Sequence, residues 1–326
     1  MPAKGFNRRA CLLPRRDRHS LGLSEGCAIT DFDALLVKTS RTFALSIPAL
    51  GEPLRREVGL AYLLFRIADT FEDAYAWPAS RRAECLEEFA RLVEARDAAG
   101  AESASERWLR DRPTEHAGYR DLLVATPAVI EAYSALAPES GAAIAGHVGR
   151  TCRGMARFVA LSDDGGRVEL PDVESLREYC YVVAGIVGEL LTELFLIHDP
   201  ALAGHEAPLR ARAAAFGEAL QLVNILKDSA ADAAEGRRFV PARVDRAPVF
   251  ELARRDLERA AEYVRELQAA GAQRGTVAFT ALPLLLATET LARVEQAGPG
   301  AKVSRERVQE LVAALDSRLA SGARVV

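Results

Sequence analysis

The chain has 326 residues, of which 49% are hydrophobic and 27% are charged, and its formal net charge is −4. These proportions are typical of a folded globular protein and exclude a generally disordered chain. The slightly negative balance offers no broad basic face, so it argues against nucleic acid as a partner.

The N-terminal segment and the cysteines indicate a cytoplasmic protein. Residues 1–30 are basic but lack the apolar core of a secretory signal, so we expect a flexible tail there. Contact of this tail with an anionic membrane surface is the alternative to a solvated arm. Five scattered cysteines without a C-x-x-C pair fit reduced thiols better than disulfides or a zinc site. The most apolar late segment, "VAFTALPLLLAT", is too short to span a bilayer.

From residue 31 onward, apolar residues recur with the period of an α-helix, and no alternating strand pattern stands out. Breakers such as "PALGEP", "WPAS" and "EGRRFVP" separate the helical segments, and Pro283 should kink its helix rather than end it. We therefore predict a single all-α domain over 31–322, built from about ten helices. The predicted helices span 31–47, 54–75, 79–99, 117–137, 140–162, 173–198, 206–234, 248–270, 274–296 and 303–320.

Two acidic clusters follow apolar helical runs. Asp69, Glu72 and Asp73 come directly after "GLAYLLFRI", and Asp228 and Asp232 come after "LQLVNIL". Residues four apart share one face of a helix, with Cβ atoms about 5–6 Å apart, so the aspartates of each cluster project together and repel. Two clusters of one type, far apart in sequence, indicate a common cause.

The faces that carry these acids predict a metal site. Tyr62, Phe65 and Arg66 lie on the face of the first cluster, and Gln221 and Asn224 on that of the second. Such polar and aromatic faces, bordered by apolar residues, would line a cavity inside a bundle. Mg²⁺ takes one or two carboxylates and keeps other positions for water or substrate phosphates. Acid pairs without histidine or thiol argue against zinc, copper or a di-iron site.

Cations beside both clusters suit a phosphate-bearing ligand. Arg66 precedes Asp69 by one turn and Lys227 adjoins Asp228, and phosphate oxygens bind Mg²⁺ as well as Arg or Lys. An apolar cavity with diphosphate at its mouth indicates an allylic diphosphate that ionises to a protected carbocation. The alternative is a solvated acidic face that Arg237 and Arg238 neutralise.

Four segments together resemble the squalene/phytoene synthase family. They are "KTSRTFALSIPAL", "YLLFRIADTFEDA", "EYCYVVAGIVGELLTELF" and "QLVNILKDSAADAAEGRRFVP", and they cover about residues 36–241. The resemblance implies an all-α isoprenoid-synthase bundle around a central cavity. It also implies Mg²⁺-dependent head-to-head (1′–1) condensation of two farnesyl diphosphates, through presqualene diphosphate, to squalene or a related C30 product. Peripheral membrane contact for product release would follow, whereas the oligomeric state is left open.

The resemblance assigns roles to individual residues. The implied metal ligands are Asp69, Glu72, Asp73, Asp228 and Asp232, with the four aspartates counted as catalytic. Tyr179 matches the tyrosine implicated in the first half-reaction. The implied diphosphate ligands are Ser40, Arg41, Arg66, Lys227 and Arg237. The polar cavity positions are Tyr62, Gln221 and Asn224. The implied hydrocarbon wall is Phe43, Val183, Ala184, Val187, Gly188 and Phe279. NADPH, the second cofactor of squalene-forming members, would contact Asn224 and Lys302.

Three departures from the family pattern bear on these roles. Ala231 stands where the second motif often has an acid, and Lys227 replaces a common arginine, losing its bidentate fork. Ser304 stands where squalene-forming members have a second basic residue near Lys302. The use of NADPH is therefore left open.

Four other functions stay open at this point. The product could be dehydrosqualene or phytoene, or the chain could catalyse only a presqualene diphosphate step of a split pathway. Asn224, Asp228 and Asp232, at intervals of four, also imitate the second metal motif of a class I terpene cyclase. A non-catalytic binding protein is the fourth, although retention of all four outer aspartates argues against it.

Overall fold

Helices make up almost all of the part of the chain that the structure describes. The computed structural model describes residues 31–40, 42–162, 167–241 and 245–326, so the predicted N-terminal tail lies outside it. The helices of the first half are α1 Phe32–Thr39, α2 Phe43–Ser46, α3 Leu54–Glu72, α4 Ala79–Ala95, α5 Ala98–Arg110, α6 Ala117–Val124, α7 Thr126–Ser134 and α8 Pro138–Ala160. Those of the second half are α9 Val173–Cys180, α10 Ile186–His198, α11 Glu206–Ala234, α12 Arg246–Ala269, α13 Arg274–Ala297 and α14 Arg305–Ser321.

The prediction of an all-α fold is confirmed, but the described chain divides into more helices than the predicted ten. The clearest omission is α5, whose sequence "AAGAESASER" looks polar and of low complexity. Asp97 caps this helix by accepting a hydrogen bond from the N–H of Gly100, and Ala101, Ala104 and Trp108 form its buried face. The buried face of α5 consists mainly of small residues, so a search for large apolar residues at helical spacing does not detect this helix.

An aromatic cluster beneath the end of α3 anchors the first acidic segment. The ring of Phe71, which is fully buried, lies 4.6 Å from that of Trp108 and 6.4 Å from that of Trp77. The indole N–H of Trp108 donates to Glu88 at 3.0 Å. Aromatic rings packed edge-to-face or stacked bury a large apolar area, which stabilises the fold. The cluster fixes the last turn of α3, which carries the acids.

The predicted helix 173–198 contains a π-helical turn, Tyr181–Gly185, between α9 and α10. Beyond this turn, α10 packs against α11 at backbone distance. A Cβ on Gly188 would lie 2.1 Å from the carbonyl oxygen of Ala213, and one on Gly217 would lie 1.9 Å from that of Ala184. Only glycine fits at such a contact, and π-helical turns concentrate at functional sites.

A two-residue parallel pairing closes the end of α11. Strand β1, Val168–Glu169, pairs with β2, Arg237–Arg238, and Val168 is opposite Arg237. Gly236, with φ of 84°, allows the chain to reverse between α11 and β2. The pairing is too short to give an alternating pattern in the sequence. The pairing holds Arg237 beside the last turn of α11, where it pairs with Asp232.

Two segments, Val173–His198 and Arg274–Ala297, are long and apolar enough to cross a membrane by length and composition. The expectation that the second segment is too short to span a bilayer considered only its apolar centre, whereas the whole of α13 is longer. Pro283 lies inside α13 without ending it. Just over half of each apolar window is buried inside the bundle. Both segments also supply cavity residues, as described below, so this burial fits core helices.

Candidate active site

Both acidic clusters lie at the C-terminal ends of long helices. Asp69 is in the last turn of α3, and Asp73 ends that helix with its N–H donated to the carbonyl of Asp69 at 2.9 Å. Asp228 and Asp232 lie in the last two turns of α11. A helix C-terminus carries partial negative charge, so acidic side chains there are unfavourable without nearby cations. The carboxylates of these four aspartates therefore need cations close to the ends of α3 and α11.

The structure brings the two clusters to one polar cavity of about 800 Å³. All five predicted metal ligands line it, so the ends of α3 and α11 face a common space. The other predicted site residues that line this cavity are Ser40, Phe43, Arg66, Tyr179, Val183, Gln221, Asn224, Lys227 and Arg237.

Each cluster has its own cations. Arg66 pairs with Asp69 at 2.9 Å, and Lys227 pairs with Asp228 at 3.0 Å. Charged groups at such distances form strong hydrogen bonds, which offset the repulsion among the acids. The same cations line the cavity and could bind phosphate oxygens there.

Arg237 serves the second cluster through the β2 segment. Its guanidinium pairs with Asp232 at 2.6 Å and with Glu235 at 2.5 Å. The side chains of Arg237 and Asp232 are both mostly buried, so this pair is less screened than a surface salt bridge. Arg237, one of the two arginines expected to neutralise the second cluster, pairs with Asp232, but this pair is mostly buried and not on a solvated face.

Burial raises the pKa values of the first cluster. Burial, opposed by Arg66 and assisted by Asp73, raises the pKa of Asp69 to about 6. The pKa of Glu72 is raised well above its ordinary range, first by burial and then by the neighbouring Asp73 and Asp69. A buried group of like charges of this kind binds a cation readily, because the cation removes both the repulsion and the burial penalty.

Tyr179 reaches the first cluster from α9. Its hydroxyl donates a hydrogen bond to Oε1 of Glu72 at 3.1 Å. Its ring stacks on Phe239 at 4.8 Å and contacts Phe158 edge-on at 5.2 Å. Burial and the nearby carboxylates raise the pKa of Tyr179, so the phenol keeps its proton at neutral pH.

An apolar cavity of about 200 Å³ adjoins the polar one. All six predicted hydrocarbon-wall residues line it, as does Tyr62. The residues that line both cavities are Phe43, Arg66, Asp69, Val183, Gln221 and Asn224. Phe65, which the sequence placed on the face of the first cluster, also lines the apolar cavity. Further apolar lining residues, which sequence reasoning missed, are Ile47, Val58, Ala61, Leu190, Leu191, Phe216, Gly217 and Leu220.

Three predicted residues differ from the rest. Arg41 lies outside the described residues. The hydroxyl of Ser40 accepts a hydrogen bond from the N–H of Phe43 at 3.0 Å, so it also caps α2. Lys302 is exposed and is not among the residues lining either cavity, although Gly300 of the same loop donates its N–H to the carbonyl of Lys227 at 2.7 Å.

Sequence reasoning missed a further wall of the polar cavity. His116, Tyr119, Lys38 and Tyr75 all line it. The ring of Tyr119 lies 5.8 Å from the Arg66 guanidinium. No motif marks His116 and Tyr119, because α6 reaches the cavity only through the tertiary fold. Tyr75 follows the first cluster directly, so its closeness to Asp73 could have been noticed.

Comparison with known proteins gives the family. The family model described as squalene/phytoene synthase matches residues 36–311. The chain belongs to the squalene/phytoene synthase family. Squalene synthase of Schizosaccharomyces pombe is 30% identical over 210 residues, which are 64% of this chain and 43% of that protein. Squalene synthase of Rattus norvegicus is 30% identical over 237 residues, which are 71% of this chain and 50% of that protein.

This member of the family spans half or less of the length of these curated relatives. Solved structures show the same fold. TcSQS in complex with the ligand BPH1237 superposes with a TM-score of 0.66 at 24% identity, covering 86% of this chain and 84% of that chain. A dehydrosqualene synthase in complex with a ligand gives a TM-score of 0.52 at 19% identity, covering 89% and 95%.

The acids of this squalene/phytoene synthase family member fit Mg²⁺ together with a phosphate ligand. Within the described residues, no three His, Cys, Asp or Glu side chains are grouped so as to hold a metal ion by themselves. Mg²⁺ does not need such a cage, because it uses one or two carboxylates and takes water or phosphate oxygens for the rest. The donors of both clusters are carboxylate oxygens, which are the hard ligands that Mg²⁺ prefers.

Proposed function

We propose that the protein is a Mg²⁺-dependent prenyltransferase that joins two farnesyl diphosphates head to head. The product of the first condensation would be presqualene diphosphate, which is then converted to squalene or a related C30 product. Membership of the squalene/phytoene synthase family supports this proposal. The similarity of the chain to squalene synthases supports the C30 assignment.

The single observation that carries the proposal is the junction of the two cavities. Carboxylates and cations line the larger cavity, aromatic and aliphatic side chains line the smaller, and Asp69 and Arg66 belong to both. A prenyl diphosphate has this same division between a charged head and an apolar chain. Its C1–O bond would therefore lie at the junction.

The proposed binding step uses charge on both helix ends. Asp69, Glu72, Asp73, Asp228 and Asp232 would hold Mg²⁺ between them and the diphosphate. When bound, Mg²⁺ neutralises the negative charge that develops on the departing diphosphate. Arg66, Lys227 and Arg237 would donate hydrogen bonds to the remaining phosphate oxygens. These donors are already positioned in the protein, so little reorganisation accompanies ionisation.

The proposed chemistry then depends on the apolar wall. Loss of diphosphate from one substrate leaves an allylic cation, and the double bond of the second substrate attacks it, which leaves a tertiary cation. Loss of a proton to the released diphosphate would then close the cyclopropane ring of presqualene diphosphate. The rings of Phe43, Tyr62 and Phe279 lie together, with centroids 5.6 Å and 6.2 Å from that of Phe43. Aromatic faces stabilise positive charge, and an apolar wall excludes the water that would quench it. Tyr179, whose hydroxyl is hydrogen-bonded to Glu72, would supply an oriented hydroxyl in the polar cavity.

Cavity size limits how two substrates can bind. The apolar cavity of about 200 Å³ is smaller than the ~300–1,000 Å³ of most small-molecule sites. At least one hydrocarbon chain must therefore extend along the shared wall into the larger cavity, or the smaller one must widen.

Product analysis tests the proposal. The protein is incubated with farnesyl diphosphate and Mg²⁺, with and without NADPH, and products are identified by mass spectrometry. Presqualene diphosphate or a C30 hydrocarbon supports the proposal, and squalene formed only with NADPH would assign the reductive step. A cyclised C15 hydrocarbon would indicate a terpene cyclase, and no diphosphate release would indicate a binding protein.

A further inference from the structure

Tyr75 contacts two guanidinium groups beside the polar cavity. It follows α3 directly and lines the cavity beside Asp73. The Cζ atoms of Arg82 and Arg237 each lie 4.8 Å from the centroid of its ring. These distances are within the range of cation–π contacts, in which arginine and an aromatic face attract each other. The position of Tyr75 therefore depends on both cations.

The hydroxyl of Tyr75 reaches the first acid cluster. It donates a hydrogen bond to Oδ1 of Asp73 at 3.0 Å. Arg237, which contacts the ring of Tyr75, pairs with Asp232 at 2.6 Å. A continuous series of contacts therefore runs from Asp73 through Tyr75 and Arg237 to Asp232, and it joins the two clusters through protein side chains.

The second guanidinium group in contact with the Tyr75 ring, that of Arg82, is buried. Only 1% of the residue is exposed, and its Nε and Nη1 atoms have no hydrogen-bond partner among the described residues. A buried guanidinium with unsatisfied donors is costly. Its ring contact with Tyr75 and its attraction to Glu72 and Asp73 offset part of that cost. Because burying Arg82 beside Tyr75 costs free energy, its positive charge there indicates a role beyond packing.

We propose that Tyr75 is a positioning residue for the diphosphate site. Its hydroxyl fixes the orientation of the Asp73 carboxylate, and its ring holds Arg237 against Asp232, so that both clusters keep one spacing. Groups that orient metal ligands through hydrogen bonds change metal affinity by roughly 10–100-fold when they are removed. The inference rests on the proposed function, because it assumes that the two clusters bind Mg²⁺ and diphosphate together.

Two substitutions separate the contributions of the hydroxyl and the ring. Tyr75→Phe removes only the hydrogen bond to Asp73 and keeps the contacts of the ring with the guanidinium groups of Arg82 and Arg237. Tyr75→Leu removes both. The full chain is titrated with inorganic pyrophosphate at a series of Mg²⁺ concentrations, and binding is followed by isothermal titration calorimetry.

We expect Tyr75→Phe to raise the Mg²⁺ concentration for half-maximal pyrophosphate binding by about 10-fold. Its pyrophosphate affinity at saturating Mg²⁺ should stay within about two-fold of wild type, because Arg237 keeps its support. Tyr75→Leu should raise the Mg²⁺ requirement to the same extent or more. It should also weaken pyrophosphate binding at saturating Mg²⁺ by about 10-fold, because Arg237 is released.

The matched control is Tyr133→Phe. The hydroxyl of Tyr133 also donates a hydrogen bond, to the carbonyl of Gly141 at 3.0 Å, and the Arg96 guanidinium lies 5.3 Å from its ring. Tyr133 is not a lining residue of either cavity. This variant should lower the melting temperature and leave the Mg²⁺ requirement unchanged.

The outcomes separate the two proposals. If the wild-type protein binds Mg²⁺ and pyrophosphate together, but both Tyr75 variants keep its Mg²⁺ requirement, the positioning role is wrong and the proposed function stands. A Tyr75→Phe variant that differs from wild type only in melting temperature, like Tyr133→Phe, leads to the same conclusion. If wild type shows no Mg²⁺-dependent pyrophosphate binding, both proposals are overturned.

Discussion

The Tyr179 hydroxyl donates a hydrogen bond to the Glu72 carboxylate at 3.1 Å, and both residues are buried. The two residues are 107 positions apart in the chain, so this bond joins α9 to the end of α3. The raised pKa of Tyr179 keeps its proton in place, so it is a fixed donor in the polar cavity. The first acid cluster is therefore oriented by a residue from another part of the fold.

Tyr179→Phe should slow the first condensation by about 100-fold, because an oriented donor is lost from a water-excluded site. Consumption of supplied presqualene diphosphate should fall by less than about 10-fold, because that substrate is already joined and needs only ionisation. Rates of farnesyl diphosphate and presqualene diphosphate consumption, measured on the same preparation, check this. Equal losses in the two reactions would remove the proposed role.

Asp69→Asn and Asp228→Asn should each reduce turnover by at least about 100-fold, or about 2.7 kcal/mol, because each removes a charged Mg²⁺ ligand. Circular dichroism should show unchanged helicity. Asp33→Asn is the control, because its carboxylate pairs with Arg55 on the surface and lies away from the cavities. A cluster variant with the turnover of the control would contradict the assignment.

The raised pKa of Asp69 predicts how stability depends on pH in the presence of a chelator. Burial raises this pKa from an ordinary 3.8 to about 6, so the folded state retains a proton that the unfolded chain releases. The folded state therefore binds more protons between about pH 4 and 6, and its stability falls as the pH rises through that range.

Asn cannot ionise, so Asp69→Asn should be more stable relative to wild type at pH 7 than at pH 4. Urea unfolding at the two pH values gives the difference in free energy of unfolding. A difference that does not change with pH would show that Asp69 is not perturbed by burial.

Gly217→Ala should destabilise the fold by about 1–3 kcal/mol, because the new Cβ would overlap the carbonyl oxygen of Ala184. Gly146→Ala, within α8, is the control, since nothing lies within 4 Å of a Cβ at that position. That variant should gain up to about 1 kcal/mol, because alanine favours a helix. Denaturant unfolding compares them, and a Gly217→Ala variant as stable as wild type would mean that α11 can move away from the π-helical turn Tyr181–Gly185 without cost.

The fold class and the two acidic faces could be read from the sequence because local patterns carry them, whereas most of the predicted cavity lining came from the family resemblance. The 3.6-residue period marks the long helices, and the i, i+4 spacing places Asp69 with Asp73 on one face. α5 escaped detection because its buried face uses alanines. The π-helical turn Tyr181–Gly185 escaped because a continuous apolar run does not reveal an extra residue in one turn.

Contacts between distant segments could not be predicted in this way. The sequence shows that Tyr75 comes two residues after Asp73, but not that Arg82 and Arg237 would both contact its ring. His116 reaches the polar cavity only because α6 packs against α1 and α3, where no local pattern points to it. Lys302 lies exposed on its loop and does not line either cavity, and its contact with NADPH, implied by the resemblance, stays a prediction.

Pyrophosphate binding in a double-mutant cycle tests most directly whether the two acid clusters hold one ligand. Affinity for pyrophosphate is measured with and without Mg²⁺ for wild type, Asp69→Asn, Asp228→Asn and the double variant. If the clusters share one Mg²⁺–diphosphate group, each single change should cost nearly as much as both together, and wild-type binding should require Mg²⁺. Costs that simply add, or binding that is equally tight without Mg²⁺, would contradict the account.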